Sequence, residues 1–191
     1  MVSQLRAAIV FLCALTILAG MAYPLLVTGI AQVAFGSQAN GSLVKEGGRV
    51  VGSELIGQPF TSAGYFWSRP SATEPFPYNA AASSGSNLGP TNPALAEAVR
   101  ARVKALHDAD PGNTAPIPAD LVTASASGLD PHISLAAALY QIPRVAHSRS
   151  LSEEEVRSLV LQFAEGRQFG VLGEPRVNVL RLNLALDGAK Q

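Results

Sequence analysis

Ser127, Asp130 and His132 lie in one short segment, and a hydrolase combines these three side-chain types. Serine would be the nucleophile, histidine the base and aspartate the group that orients it, so all three must converge in space. The segment lacks the Gly-x-Ser-x-Gly turn that is typical of one large class of serine nucleophiles. Asp130 precedes a proline, which is typical of a helix N-cap and predicts an exposed first-turn His132. The pattern favours a structural turn, with a hydrolase or ligand-binding module using this region as the alternative.

Other polar segments are candidates for binding. The run from Ser83 to Pro90 is rich in serine and glycine, and its backbone amides could cradle a phosphate. It lacks the Gly-Lys-Ser/Thr ending of a P-loop, which favours a structural turn. Gln141 could hydrogen-bond a ligand, although a partly exposed helix residue is the commoner case. Three arginines beside prolines could bind an anion or fix a loop through backbone carbonyls: Arg69, Arg144 and Arg176.

The composition argues against a metal site and against binding of nucleic acid. The three histidines show no paired ligand spacing, and Cys13 alone cannot form an intramolecular disulfide or a cysteine-based zinc site. The chain has 14 basic and 14 acidic residues, so no basic field exists for nucleic acid. Aromatic residues make up 6% of the chain, too few for a base-stacking platform. We therefore expect no metal site, no catalytic centre and no nucleic-acid partner.

The elements that position these residues begin with an apolar run from Ala7 to Val27, long enough for a helix that spans a bilayer. A cleaved signal peptide ending near Ala34-Phe35-Gly36 is the alternative, but its apolar region would usually be shorter. The α-amine and Arg6 favour a cytoplasmic N-terminus. We predict a cytoplasmic tail over residues 1–6, a transmembrane helix over 7–27, a juxtamembrane linker over 28–44 and an extracytoplasmic domain over 45–191.

The soluble domain shows helical and extended patterns without strict alternation, which predicts an α+β fold. The Pro- and Gly-rich stretch from Gln58 to Asn92 carries several aromatic residues, so we expect an ordered loop pinned by them. The remaining predictions are a strand over 49–53, a helix from Asn92, an extended segment over 117–122, a helix from Asp130, a capped helix from Ser152 to Gly166, and a strand over 180–186. The fold class is thus an α+β soluble domain with one N-terminal transmembrane helix.

Longer motifs run along nearly the whole chain. They are Tyr23-Pro24-Leu25, Ala39-Asn40-Gly41-Ser42-Leu43, Val51-Gly52-Ser53-x-Leu55-Ile56-Gly57-Gln58-x-Phe60, Tyr65-Phe66-Trp67-Ser68-Arg69-Pro70-Ser71-Ala72, Ser86-Asn87-Leu88-Gly89-Pro90, Val122 to Ser134, Gln141-Ile142-Pro143-Arg144-Val145-Ala146, and Gly173 to Asn183. In these motifs the sequence resembles the KdpC family, the C subunit of the Kdp potassium-transporting P-type ATPase of bacteria and archaea. Leu135 departs from the pattern, because proline is expected after Ile133-Ser134.

The resemblance implies a partner role. Family members are essential, non-hydrolytic accessory subunits of an ATP-driven potassium uptake pump. They assemble with KdpA, the potassium-conducting subunit, and with KdpB, the P-type ATPase subunit, and they have been described as catalytic chaperones that raise the ATP affinity of KdpB. The resemblance maps Gln141 to a glutamine related to ATP. The chain lacks the phosphorylated Asp-Lys-Thr-Gly-Thr motif, so it is not the hydrolytic subunit.

The resemblance also implies a location and two small-molecule associations. We expect a single-pass protein of the bacterial cell (inner) membrane, in contact with the lipid bilayer and with its soluble domain on the extracytoplasmic side. ATP acts through the complex, and potassium is transported by the complex rather than held by this chain.

Overall fold

The structure is a computed structural model that describes residues 2–188. It divides into two units, with the boundary between Leu43 and Val44.

The first unit is a long apolar helix. It consists of α1 (Val2–Ile17), one π-helical turn (Leu18–Ala22) and α2 (Tyr23–Ala34), followed by the short helix α3 (Gly36–Ala39). Residues Val2–Ala34 have a mean hydropathy of 2.3 in their most apolar window and bury nothing within the structure, so this helix could cross a bilayer. It extends beyond both ends of the predicted 7–27 span.

The π-helical turn has a local cause. Pro24 has no amide hydrogen, and its ring collides with the carbonyl one turn earlier, which widens the preceding turn. The amide of Tyr23 bonds to the carbonyl of Leu18, five residues back, instead of four. The helix therefore continues through the proline to Ala34.

The second unit contains five helices and five short strands among the described residues. In chain order they are β1 (Leu43–Glu46), β2 (Arg49–Ser53), α4 (Pro93–Ala109), a 3₁₀ turn (Ala119–Leu121), β3 (His132–Ser134), α5 (Leu135–Tyr140), α6 (Ile142–Arg149), α7 (Glu153–Gln162), β4 (Ala164–Glu165), β5 (Arg176–Asn178) and α8 (Val179–Gly188). The α+β prediction with one long apolar N-terminal helix is confirmed.

Two sheets organise these strands. β1 and β2 pair with each other, and β5 lies between β3 and β4 in an antiparallel sheet. Val177 of β5 pairs with both Ile133 and Ala164, and its side chain is fully buried. Helices α5 to α8 pack around this sheet and supply most of the core, including Ile142, Val160 and Leu182.

Two predicted helices begin as their capping residues require. The Asn92 side chain accepts a hydrogen bond from the amide of Ala94 at 3.0 Å, and Pro93 occupies the first position of α4. Ser152 and Glu155 form a reciprocal capping box at α7, at 3.2 Å and 2.8 Å. The strand predicted over 49–53 is β2, so these three predictions are confirmed.

The helix predicted from Asp130 begins later, at Leu135. The Asp130 carboxylate accepts the amide of His132, two residues on, and the chain then enters β3. Ser134 is the true N-cap, because its Oγ accepts the amide of Ala137 at 3.0 Å. The departure from the family pattern at Leu135 thus occupies the first position of α5.

Three further predictions are wrong. Residues 117–122 contain a 3₁₀ turn rather than a strand, and α7 ends at Gln162, where β4 follows, so Gly166 is not its cap. Residues 180–186 are helical in α8. The buried positions 179, 182, 183 and 186 have helical spacing, but the polar Asn183 obscures that pattern in the sequence.

Candidate functional site

The central feature of the soluble unit is the segment Tyr65-Phe66-Trp67, within a stretch over 57–92 that forms no helix or strand. Phe66 is fully buried, as the prediction of an aromatic-pinned loop requires. A segment outside helices and sheets has no regular partners for its backbone donors and acceptors. Side chains from α5, α6 and α8 supply these partners.

Two buried amide side chains pair with this backbone as a neighbouring strand would. Asn183 on α8 accepts the Phe66 amide at 2.9 Å and donates to the Phe66 carbonyl at 3.0 Å. Gln141, which caps α5, accepts the Trp67 amide at 2.7 Å and donates to the Trp67 carbonyl at 3.3 Å. Each amide therefore satisfies one residue of the segment.

Two arginines of α6 hold the same segment from the side. Arg144 lies over the Trp67 ring at 4.5 Å and donates to the Ala63 carbonyl at 2.6 Å. Arg149 lies over the Tyr65 ring at 4.7 Å and donates to the Gly64 carbonyl at 2.6 Å. Both side chains combine a cation–π contact with a charge-assisted hydrogen bond.

The two arginines differ in the groups that surround their charges. Burial lowers the pKa of Arg144 to about 10. The nearby carboxylate of Asp110 has the opposite effect and raises this pKa. Arg144 also donates to Gln141 Oε1 at 2.7 Å. Arg149 instead pairs with Asp187 on α8 at 2.7 Å, and Asp187 accepts the Tyr65 hydroxyl. We call Gln141, Arg144, Arg149 and Asn183 together the bracket.

Gln141 was expected to be partly exposed, and the structure places it inside. Its side chain is 1% exposed, and both amide atoms are hydrogen-bonded: Oε1 to Trp67 and Arg144, and Nε2 to the carbonyls of Trp67 and Ala137. In this geometry the amide holds the loop and presents no free donor or acceptor to solvent.

Sequence reasoning did not identify Asn183 or Arg149 as important. Asn183 lies 117 residues from Phe66, so no local pattern signals the contact. A helical rather than extended interpretation of residues 179–186 would have placed Asn183 on the buried face. Arg149 lies five residues after Arg144, and that spacing on a short helix gave no indication of a shared role.

Ser127, Asp130 and His132 do not form a triad. Asp130 contacts His132 at 3.7 Å and Arg69 at 3.4 Å. Ser127 is exposed, and its Oγ accepts the amide of Leu129 at 3.2 Å. Among the described residues, no hydrogen bond joins Ser127 to His132. The serine belongs to a turn, as the sequence favoured.

Asp130 is nonetheless electrostatically distinct. Its burial acts to raise its pKa, but hydrogen bonds from His132 and the charge of Arg69 outweigh this and lower the pKa below its usual value. Beside it, burial raises the pKa of Tyr78 to about 12, and the Tyr78 hydroxyl donates to the Arg69 carbonyl at 2.5 Å. Asp130, His132 and Arg69 line an open cleft of about 470 Å³. A carboxylate already paired with a guanidinium makes this a structural cluster.

The other sequence candidates also have structural roles. The run from Ser83 to Ser86 lines an open cleft of about 630 Å³ that also contains Glu74, an acidic neighbour unsuited to phosphate. Arg176 pairs with Glu165 across the sheet at 3.0 Å. Within residues 2–188, no three His, Cys, Asp or Glu side chains are grouped to hold a metal ion.

The chain is similar to a defined family over almost its whole length. The family model for KdpC, described as K+-transporting ATPase, c chain, matches residues 5–188. A Potassium-transporting ATPase KdpC subunit of Sorangium cellulosum is 66% identical over 190 residues, covering 100% of both chains. Proteins of the same description from Methylibium petroleiphilum and Methylococcus capsulatus are 65% and 62% identical, again over 100% of both chains. The chain belongs to the KdpC family.

Proposed function

We propose that this chain is a non-hydrolytic accessory subunit of an ATP-driven potassium uptake pump. The observation that carries the proposal is the family match over residues 5–188, together with relatives that are 59–66% identical and bear the KdpC subunit description. The geometry agrees with this role, because the polar clusters of the described residues serve to hold loops. The expected partners are KdpA and KdpB, with the apolar helix in the lipid bilayer.

The proposal includes an indirect effect on nucleotide. In the family, the subunit has been described as raising the ATP affinity of KdpB. Gln141 has both amide atoms engaged with the protein itself. Its place in this proposal is therefore that of a positioning residue, which fixes the Tyr65–Trp67 segment and with it the surface offered to partner subunits. ATP affinity then changes through a coupling free energy across the complex.

The proposed location makes direct nucleotide contact impossible. The N-terminus is cytoplasmic in our proposal, so one spanning helix places the soluble unit on the extracytoplasmic side. KdpB binds ATP in the cytoplasm, and the hydrocarbon layer between them is about 30 Å thick. There the domain would pack against KdpA and influence its entrance or stability.

A growth assay tests this function. Deletion of the gene should abolish growth at micromolar potassium in cells that depend on the pump for potassium, and a plasmid copy of the native chain should restore it. Ser127→Ala should restore growth as well as the native chain, because Ser127 lies in a turn. Full growth of the deletion strain would contradict the accessory role, and failure of Ser127→Ala with normal assembly would revive the hydrolase alternative.

A further inference from the structure

The connection between β4 and β5 is an ordered hairpin. Gln168 and Leu172 exchange two backbone hydrogen bonds of 2.9 Å. Between them, Phe169 and Gly170 have φ angles of 53° and 76°. The loop between them therefore has three residues, Phe169, Gly170 and Val171, and its first two positions have the left-handed backbone that glycine and asparagine adopt most readily. We call residues 167–174 the tip hairpin.

Ion pairs close the base of the tip hairpin. The Arg167 guanidinium binds both carboxylate oxygens of Glu174, at 2.7 Å and 2.8 Å. Behind it, Arg176 pairs with Glu165 at 3.0 Å. Because these ion pairs are partly exposed, they add little to the stability of the protein. Their main effect is to hold the two sides of the hairpin together. The hairpin is thus held in shape without help from the core.

The tip hairpin displays apolar side chains to solvent. Phe169 is 93% exposed, Val171 72% and Leu172 56%. Several exposed apolar side chains within one short loop are typical of an interaction site. The three side chains do not stabilise the isolated chain, since none of them belongs to the core.

The turn also carries a residue that its backbone disfavours. A bulky side chain at positive φ is strained, whereas asparagine adopts this conformation readily. Phe169 therefore costs local stability and buries nothing. We propose that the tip hairpin is a docking element whose Phe169 ring enters an uncharged apolar pocket on a partner subunit of the pump, with Val171 and Leu172 packing at its edge. This inference rests on the proposed function.

The charges favour a protein over a lipid surface. Elements that bind the membrane interface present free lysine or arginine to the headgroups, commonly with tryptophan or tyrosine. The four charged side chains at the base of the tip hairpin form two neutral pairs, Arg167–Glu174 and Arg176–Glu165. In a protein–protein hot spot, an anchor residue is buried and polar residues form a rim around it. Phe169 corresponds to the anchor, and the paired charges correspond to the rim.

The size of the tip hairpin argues against a second copy of this chain. A fully buried phenylalanine contributes about 150–250 Å². A stable interface buries about 800 Å² on each side. The tip alone cannot supply this area, so it requires a larger interface made by other surfaces, which an assembled pump provides.

The decisive variant removes the ring and keeps the turn. Asparagine tolerates the positive φ of position 169 better than phenylalanine, so Phe169→Asn should leave the thermal stability of the full chain equal or raise it. Retention of the chain in the detergent-purified pump should fall at least about tenfold, as expected for a hot-spot anchor. Leu161→Gln is the matched control, because Leu161 is an exposed apolar residue on α7 and should leave retention unchanged.

Photocrosslinking identifies the occupant. With p-benzoylphenylalanine at position 169 of the full chain in intact cells, we expect an adduct with another subunit of the pump. An adduct only with lipid, or only with a second copy, would overturn the proposal, as would normal retention of Phe169→Asn. These outcomes are distinct from failure of the proposed function, in which deletion of the whole chain leaves potassium-limited growth intact.

Discussion

Replacement of Gln141 by leucine tests the role of the bracket. Leucine fills a similar volume but can neither donate nor accept a hydrogen bond. The Trp67 amide and the Arg144 guanidinium, which bond to Gln141 Oε1 at 2.7 Å each, would then be left without that partner inside the protein. A neutral hydrogen bond contributes about 0.5–1.5 kcal/mol and one to a charged group about 1.5–3 kcal/mol. Gln141→Leu also removes the weaker bond to the Trp67 carbonyl. We therefore expect it to lower the free energy of unfolding by about 3–5 kcal/mol in total.

The sequence provides its own probe for this measurement. Trp67 is the only tryptophan in the chain, so its fluorescence reports the segment that Gln141 holds. Urea unfolding of the full chain in detergent, followed by this signal, gives the free energy change. Gln162→Leu is the matched control: Gln162 ends α7 with an exposed side chain, and its replacement should stay within about 0.5 kcal/mol.

A small effect would refute the structural role. If Gln141→Leu changes stability by no more than the Gln162→Leu control, the amide is not buried against the loop as described. If stability is unchanged while the complex loses ATP affinity, direct contact between Gln141 and nucleotide becomes the better account. We expect stability and ATP affinity to fall together, because both depend on the position of the Tyr65–Trp67 segment.

Three further predictions concern other parts of the soluble unit. Burial raises the pKa of Tyr78 to about 12, whereas the same hydroxyl in the unfolded chain has a pKa of about 10. The free energy of unfolding should therefore fall by about 1–2 kcal/mol as pH rises from about 10 to about 12. Tyr78→Phe should remove this loss in urea titrations at different pH values. Val160→Ala should cost about 2–3 kcal/mol because Val160 is fully buried, whereas Leu161→Ala, on the exposed face of α7, should stay within about 0.5 kcal/mol; equal costs by calorimetry would mean that the helix face is misassigned. A cysteine at the exposed position Ala82, in a Cys13→Ser background, should react with a membrane-impermeant maleimide in intact cells, and labelling only after lysis would place the domain in the cytoplasm.

Local sequence signals predicted those elements whose causes are local. The N-cap of Asn92 and the capping box of Ser152 and Glu155 act within three residues, and both predictions are confirmed. The predicted loop over 58–92 is also confirmed, since its buried aromatic residue makes it ordered. The two caps depend on nearest neighbours in the chain, whereas the composition of the loop predicts its order but not the distant side chains that hold it.

The failed predictions involve long-range partners. The alternation of leucines over 180–186 indicated a strand because Asn183 was counted as a solvent-facing residue. In the structure its amide pairs with Phe66, 117 residues away, so a polar residue lies on the buried face of α8. Gln141 is a second case, with its partner Trp67 74 residues away. A pattern of polar and apolar residues cannot identify a polar side chain that is buried because it satisfies a distant backbone.

The start of α5 shows a second kind of limit. Asp130 before proline has the local chemistry of an N-cap, but pairing of β3 with β5 keeps residues 132–134 extended. Ser134 then caps the helix, and Asp120 supports it by accepting the Ser134 amide at 2.7 Å. Tertiary pairing overrode a local signal, which single-sequence reasoning cannot detect.

The most direct test of the account is the activity of the purified pump with and without this chain. We predict that an affinity tag on the native chain retains KdpA and a P-type ATPase, that potassium stimulates ATP hydrolysis by this complex, and that the same preparation without the chain loses that stimulation. The chain alone should hydrolyse no ATP. Potassium-stimulated hydrolysis that is equal in its absence, or hydrolysis by the isolated chain, would contradict the assignment of a required, non-hydrolytic subunit.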